Sequence, residues 1–395
     1  MVNPRLDRLP GYPFARLRTL LDGVDPPAGV EPLALSVGEP QHGPPPMLAE
    51  TLAANAHLWG RYPPIGGTPG FRDAVASWLV RRYGLADGAI DPATQILPVA
   101  GTREALFMAA TLALPDGRGG GRPAVLIPNP YYHVYAGSAA MAGAEAVFLP
   151  ATRETGFLPD LAAVDEATLA RTALFYLCSP ANPQGAAAGL DYLKTAVRLA
   201  RDHDFVLCVD ECYAEIYGGE PPPGVAQACA VLGYGNVLVF HSLSKRSSAP
   251  GLRSGFVAGD PALIEMFKRL RDVGGATVPL PAMAASEALW RDDAHVEENR
   301  ALYRAKFDTA EALLAGRFGF YRPDGGFFLW LDVGDGEAAT RRLWAEAGLR
   351  VLPGAYLAHD DRDGHNPGAA FIRVALVHDQ ATTTEALERL LSILR

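Results

Sequence analysis

Apolar residues along this chain fall into two alternating patterns. Short continuous runs at 95–99, 124–127, 146–149, 173–177, 205–209 and 237–240 read as strands. Between several of them lie stretches with apolar positions three and four apart, at 71–83, after Thr102, at 134–142, at 190–202 and at 261–273, which read as helices. Strand-forming runs that alternate with helical patterns predict an α/β fold, with a mostly parallel sheet between helices.

Outside this central region the pattern changes. The first 35 residues are rich in Pro and Gly, with one amphipathic patch at 14–21, and read as an arm carrying a short helix. Leu33 to Pro40 predicts a short strand ending in a turn, where Gly38 permits a close backbone approach. Residues 47–58 have helical spacing, and the helix Phe71 to Tyr83 is closed by Gly84. Beyond the segment 274–281, one long helical pattern from Pro281 to about Leu314 is expected to bridge two lobes. Strands at 327–331 and 370–375 and helices at 337–347 and 380–394 then predict a smaller α+β domain. The expected division is 1–45 as arm and part of the small domain, 46–280 as the large domain and 281–395 as the C-terminal small domain.

Composition narrows the partners. With 395 residues and 49% hydrophobic content, the chain can bury more than one core. A formal net charge of -9 without a basic run argues against nucleic acid or an anionic membrane surface as partner. Cys178, Cys208, Cys212 and Cys229 form no Cys-x-x-Cys pair and lie in or beside apolar runs, so buried free thiols and a reducing cytoplasm are expected. There is no apolar signal core at the start and no run long enough for a membrane span.

Chemistry concentrates where the strand-like runs end. Ser242-Leu243-Ser244-Lys245 follows one run and precedes Gly251-Leu252-Arg253-Ser254-Gly255. Lys245 is either a surface lysine or an amine placed to hold a carbonyl covalently. The turn Ala100-Gly101-Thr102-Arg103 opens a helix and offers free N–H groups to a phosphate. Asn182 stands in Ser179-Pro180-Ala181-Asn182-Pro183, a plain turn or a hydrogen-bond donor to a bound oxygen. Asp210 and Tyr213 end the next run, where an Asp is either a helix cap or the partner of a protonated ring nitrogen. Arg373 lies inside the apolar run Phe371 to Ala375, so it needs a structural salt bridge or a substrate carboxylate. The acidic segment 359–365 lacks the spacing of a calcium loop or a zinc site and reads as a solvated loop, so no metal is expected.

Taken in order, Gly38, Tyr62, Gly101-Thr102, Tyr131-Tyr132, Asn182, Asp210, Tyr213, Lys245, Arg253 and Arg373 resemble the fold type I, aspartate aminotransferase-like family of pyridoxal phosphate enzymes over essentially the whole chain. The resemblance implies that Lys245 holds pyridoxal 5'-phosphate and shuttles a proton, with Asp210 at the ring nitrogen and Asn182 and Tyr213 at the ring oxygen. It implies Tyr132, or else Tyr131, on the ring face. Gly101, Thr102, Arg103, Ser242 and Arg253 would grip the phosphate, with Tyr62 reaching across a homodimer interface. Gly38, Asn182 and Arg373 would bind the substrate.

Local motifs, among them Asn3-Pro4-Arg5-Leu6, Asp210-Glu211-Cys212-Tyr213-Ala214-Glu215 and Val351-Leu352-Pro353-Gly354, narrow the resemblance to the succinyldiaminopimelate aminotransferase branch. The expected reaction moves an amino group between glutamate and a 2-oxo acid or aldehyde, with N-succinyl-2-amino-6-oxopimelate as acceptor. The alternatives are an acetylornithine, aspartate or aromatic acceptor, or a lyase. A transcription-regulator effector domain would share the scaffold, but the arm has no helix-turn-helix and the charge is acidic.

Overall fold

The computed structural model describes residues 2–394. The chain forms a short strand β1 (Leu33–Ala34) and then builds a seven-stranded sheet from β2 (Ile96–Val99), β3 (Ala124–Asn129), β4 (Glu145–Pro150), β5 (Thr172–Cys178), β6 (Val206–Asp210), β7 (Val237–Ser242) and β8 (Gly255–Gly259). Its order is β2-β8-β7-β6-β5-β3-β4. Only β8 runs antiparallel to its neighbours, β2 and β7. Strands β3, β5, β6 and β7 are buried at every position, which is why they read as unbroken apolar runs.

Helices cover both faces. On one side Phe71, Trp78, Leu193, Val197 and Trp290 close a core against the sheet. On the other, Leu106, Ala109, Tyr135 and Phe267 do so. The helix Pro69–Tyr83 begins where Thr68 Oγ1 accepts from Phe71 N at 3.2 Å and ends at Gly84 with φ 60°.

A second, three-stranded sheet of order β11-β12-β9 is built from β9 (Phe328–Asp332), then β11 (Leu352–Pro353) and β12 (Phe371–Ala375), while β10 (Leu349–Arg350) pairs in parallel with β1. The segment after β1 therefore belongs with this smaller sheet, and Leu35 O accepts from Ala375 N at 2.8 Å.

Two expected helices are divided. The pattern 281–314 forms Leu280–Arg291 and Ala294–Leu314, not one rod. Asp292 takes an extended conformation, and its carboxylate accepts from His295 N at 3.0 Å, which starts the second helix. Arg246 reaches into the break and donates to Leu289 O at 2.7 Å and to Asp293 Oδ1 at 2.8 Å. The pattern 47–58 likewise becomes the helix Pro46–Ala54 followed by a single 3-10 turn, Ala56–Leu58. The helix Val225–Leu232 was not among the expected elements.

Candidate active site

Strand direction brings the chemistry to one edge. Because β2, β5, β6 and β7 all run the same way, the residues after Val99, Cys178, Asp210 and Ser242 leave the sheet together at its carboxyl edge. Cys178 pairs with Asp210, Asp210 with Phe240, and both Val99 and Ser242 with Gly255, just beyond Arg253. A cleft of about 490 Å³ opens there, bounded by that edge on one side and by Gly38, Phe328 and Arg373 of the smaller sheet on the other.

Lys245 sits in the single helical turn Leu243–Arg246, directly after β7. Arg246 anchors that turn in the break between the two helices, and Asn299 Nδ2 donates to Lys245 O at 3.2 Å. The amine Nζ points into the cleft and donates to Gly38 O. Burial lowers its pKa to about 8, with the neighbouring charges of Arg373 and Arg103 acting in the same direction. A lysine so placed is uncharged in a substantial fraction near neutral to mildly alkaline pH, the form that attacks a carbonyl.

Asp210 is buried at the end of β6. Tyr135 OH donates to its Oδ2 at 2.7 Å, and Cys212 N donates to its Oδ1 at 3.2 Å. Burial raises its pKa, and these donors partly oppose the rise. Thr102 Oγ1 and Cys212 Sγ lie 3.1 Å apart at the same end of the cleft. Tyr213 is buried beneath Lys245, with Nζ 6.0 Å from its ring centroid, and burial holds its phenol well above the usual range.

Arg373 is buried on β12 and has no carboxylate partner among the described residues. Nη1 donates to Asn182 Oδ1 at 2.9 Å and Nη2 to Ser36 O at 2.7 Å. The guanidinium carbon stands 4.1 Å over the Phe328 ring, and Nε has no hydrogen-bond partner among the described residues. Burial lowers its pKa to about 10.

Gly101 and Arg253 face each other across the phosphate-like end. Gly101 has φ 84°, and a Cβ there would lie 2.0 Å from Arg253 Nη2. Arg253 itself has φ 53° and donates to Pro250 O at 3.0 Å. Ser242 Oγ accepts from Ser244 N at 3.1 Å. Tyr132 lines the cleft, whereas Tyr131 turns away to pack on Phe148 at 5.0 Å between centroids. Tyr62 does not line this cleft, and its side chain is 100% exposed.

Several cleft residues went unnoticed in the sequence. Cys212 was expected as a core thiol, yet it is only partly buried and lines the cleft. Tyr135 carries the hydrogen bond to Asp210, and its spacing of three from Tyr132 at the start of a helix is the signal that points to it. Glu39 and His133 adjoin Gly38 and the Tyr131-Tyr132 pair, Tyr12 comes from the N-terminal arm, and Leu357 lies three residues past Gly354.

The arrangement suits pyridoxal phosphate. It offers an amine poised for an aldehyde, a buried carboxylate for a ring nitrogen, an aromatic face, and a tight glycine turn with an arginine for a phosphate. Fold and site thus define an enzyme class that performs amine chemistry on that cofactor.

Comparison with known proteins places the chain within it. Residues 30–390 match the family model for aminotransferase class I and II. The 4-dedimethylamino-4-oxo-anhydrotetracycline transaminase OxyQ of Streptomyces rimosus is 35% identical, over 90% of this chain and 92% of its own length. The LL-diaminopimelate aminotransferase of Desulforudis audaxviator is 30% identical over 98% and 96%. An aminotransferase structure from Neisseria meningitidis superposes with a TM-score of 0.94 at 41% identity, covering 100% of both chains. The chain belongs to the class I and II aminotransferases and is a pyridoxal phosphate-dependent aminotransferase.

Proposed function

We propose that this enzyme transfers the amino group of glutamate to N-succinyl-2-amino-6-oxopimelate. The observation that carries amino acid binding is the buried guanidinium of Arg373, which has no carboxylate partner among the described residues. A buried cation without an anion costs several kcal/mol, and a substrate α-carboxylate supplies the missing charge. The diaminopimelate class of substrate is supported by the LL-diaminopimelate aminotransferases among the relatives, together with the local motifs that follow Asp210 and Lys245.

In this reading pyridoxal phosphate supplies an aldehyde for amine exchange and a ring that accepts the electrons of the substrate Cα–H bond. Lys245 Nζ would hold the aldehyde and, once the substrate amine has taken its place, would accept the proton of Cα as base and deliver it to the cofactor side as acid. Asp210, kept in place by Tyr135 and Cys212 N, stays anionic against the protonated ring nitrogen. Asn182 and Tyr213 serve the ring oxygen, and Tyr132 covers the ring face. The N–H groups at Gly101, Thr102 and Arg103, with Ser242 and Arg253, hold the phosphate. Arg373 orients the α-carboxylate with Asn182, and Gly38 closes from the smaller sheet while its carbonyl releases Lys245.

Residues 46–280 form the cofactor-binding domain, with 1–45 and 281–395 supplying the arm and the small domain. The working form is a cytoplasmic homodimer in which Tyr62 of each chain serves the other's phosphate. A second reading, direct transamination of LL-diaminopimelate, is favoured by the relatives bearing that name. Initial rates with glutamate and the succinylated aldehyde, acetylornithine semialdehyde, oxaloacetate or phenylpyruvate, and with LL-diaminopimelate as donor to 2-oxoglutarate, separate the readings. The proposal expects the succinylated aldehyde to lead in kcat/KM by about tenfold or more, each tenfold step corresponding to about 1.4 kcal/mol of transition-state binding.

A further inference from the structure

Lys245 meets the segment 38–42 at two points. Its amine donates to Gly38 O, and its main chain reaches His42 through one side chain, Asn299. The single turn Leu243–Arg246 leaves carbonyls that the backbone beyond it does not serve. Ala249 N donates to Leu243 O at 3.4 Å, and the residue four after Arg246 is Pro250, which has no N–H. Asn299, buried on the helix Ala294–Leu314, supplies a donor in their place. Its Nδ2 donates to Lys245 O at 3.2 Å and stands 3.5 Å from Arg246 O.

Both carbonyls can only accept, which fixes the amide nitrogen of Asn299 on their side. Its Oδ1 then faces Ser248 Oγ and His42 Nδ1, each at 3.1 Å. Nδ1 therefore carries the imidazole proton, and Nε2 accepts from Lys306 Nζ at 2.6 Å. Burial lowers the His42 pKa, with Lys306 adding to this and Asn299 and Asp379 opposing it, so the ring is neutral at pH 7, as this order of donors requires. Lys306 Nζ also donates to Leu376 O at 3.0 Å, and Gln41 N donates to Val377 O at 3.2 Å. These two acceptors follow Arg373 by three and four residues. Each step from Lys306 through His42 and Asn299 donates toward Lys245 O, so the strand that carries Arg373 is joined to the main chain of the lysine.

We propose that His42 and Asn299 are positioning residues for Lys245, setting its main chain from the side of the smaller sheet so that Nζ meets the substrate Cα. Neither lines the cleft. Their effect falls on proton transfer and not on binding, because transfer depends steeply on the approach of Nζ, while the carboxylate is held by Arg373. This rests on Lys245 as the proton carrier, but not on the identity of the donor or the acceptor.

Rapid mixing of the cofactor-loaded enzyme with excess amino donor, followed through the visible absorbance of the cofactor, tests it. The donor is glutamate or LL-diaminopimelate, whichever wild type consumes faster, with hydrogen or deuterium at Cα. His42→Phe keeps a ring against Tyr303, 4.9 Å away, but loses both hydrogen bonds. Asn299→Asp keeps an acceptor for His42 and Ser248 but turns an oxygen toward Lys245 O. In both, the limiting rate should fall by about tenfold or more, with half-saturation changed by less than about twofold. The deuterium effect should stay at or above the wild-type value, and the cofactor absorbance per chain should be unchanged. His42→Asn, whose amide can stand at the Nδ1 position and donate to Asn299 Oδ1, should recover most of the rate. Unchanged limiting rates, equal losses in His42→Asn and His42→Phe, a loss carried by half-saturation, a deuterium effect falling toward one, or less bound cofactor overturns the positioning role. If only LL-diaminopimelate reacts with wild type, the proposed glutamate donor fails while these comparisons still decide the role of His42 and Asn299.

Discussion

Arg373 and Lys245 show how the same physical condition, burial of a cation, is turned to different ends. Arg373 keeps its charge and waits for an anion, whereas Lys245 is pushed to about 8 and becomes a nucleophile. Lys245→Ala is expected to abolish turnover and the visible absorbance of the bound cofactor. Full activity in that variant would falsify the assignment. Asp210→Ala should lose most of kcat, with far-ultraviolet circular dichroism unchanged; an unaltered kcat removes its role at the ring nitrogen.

A third buried cation, Lys306, lies outside the cleft. Its Nζ contacts His42 Nε2 at 2.6 Å and donates to Leu376 O at 3.0 Å, and burial lowers its pKa to about 8. Between that value and the unfolded value near 10.5, the unfolded chain binds more protons, so stability from this group rises with pH across the interval. The cost of charging it is fully present below about 8. In Lys306→Met, urea unfolding at pH 7.5 and pH 10 should show this pH-linked gain reduced by on the order of 2 kcal/mol. An identical pH dependence in both proteins removes the effect.

At the scale of elements, the turn between β2 and the helix Thr102–Ala113 controls how the phosphate end is built. Gly101 has φ 84° and ψ 147°, a conformation open essentially to glycine alone, and Arg253 fills the space a side chain would need. Gly101→Ala forces the guanidinium of Arg253 away and strains the turn by about 1–3 kcal/mol. We expect cofactor affinity to fall by about tenfold or more, measured by equilibrium dialysis, while the sheet is retained. Unchanged affinity removes Arg253 from the phosphate grip. The helices at 280–314 give a different lesson about elements. Their periodicity runs on without interruption, but Asp292 caps the second helix and Arg246 fills the break. No local pattern announces a break whose reason is a side chain arriving from 46 residues away.

For the whole molecule, the proposed dimer makes a prediction that no single chain can satisfy. Tyr62 is fully exposed and stands apart from the cleft of its own chain. If it serves the partner's phosphate, a mixed dimer of Tyr62→Ala and Lys245→Ala chains carries one intact site and one doubly damaged site. Mixing the two inactive or weakened variants after dissociation should restore activity toward half that of wild type per mixed dimer. No gain over the separate variants sinks the exchange across the interface.

The strands were legible because β3, β5, β6 and β7 are covered on both faces, which forces continuous apolar runs into the sequence. Lys245, Asp210, Asn182 and Gly101 were legible for a related reason: each ends a strand or follows one within four residues, so its position in the sequence also marks an edge in space. Periodicity and strand endings therefore determined the α/β class and which residue types stand ready for the cofactor. Tertiary structure decided the rest. It left Arg373 without a carboxylate, turned Tyr132 toward the cleft and Tyr131 away, brought Cys212 out of the core, and joined His42 to Lys245 O through Asn299. These outcomes depend on which distant segments meet and on the burial that follows. A linear pattern records that a residue is charged, but only packing decides whether that charge finds its partner within the chain.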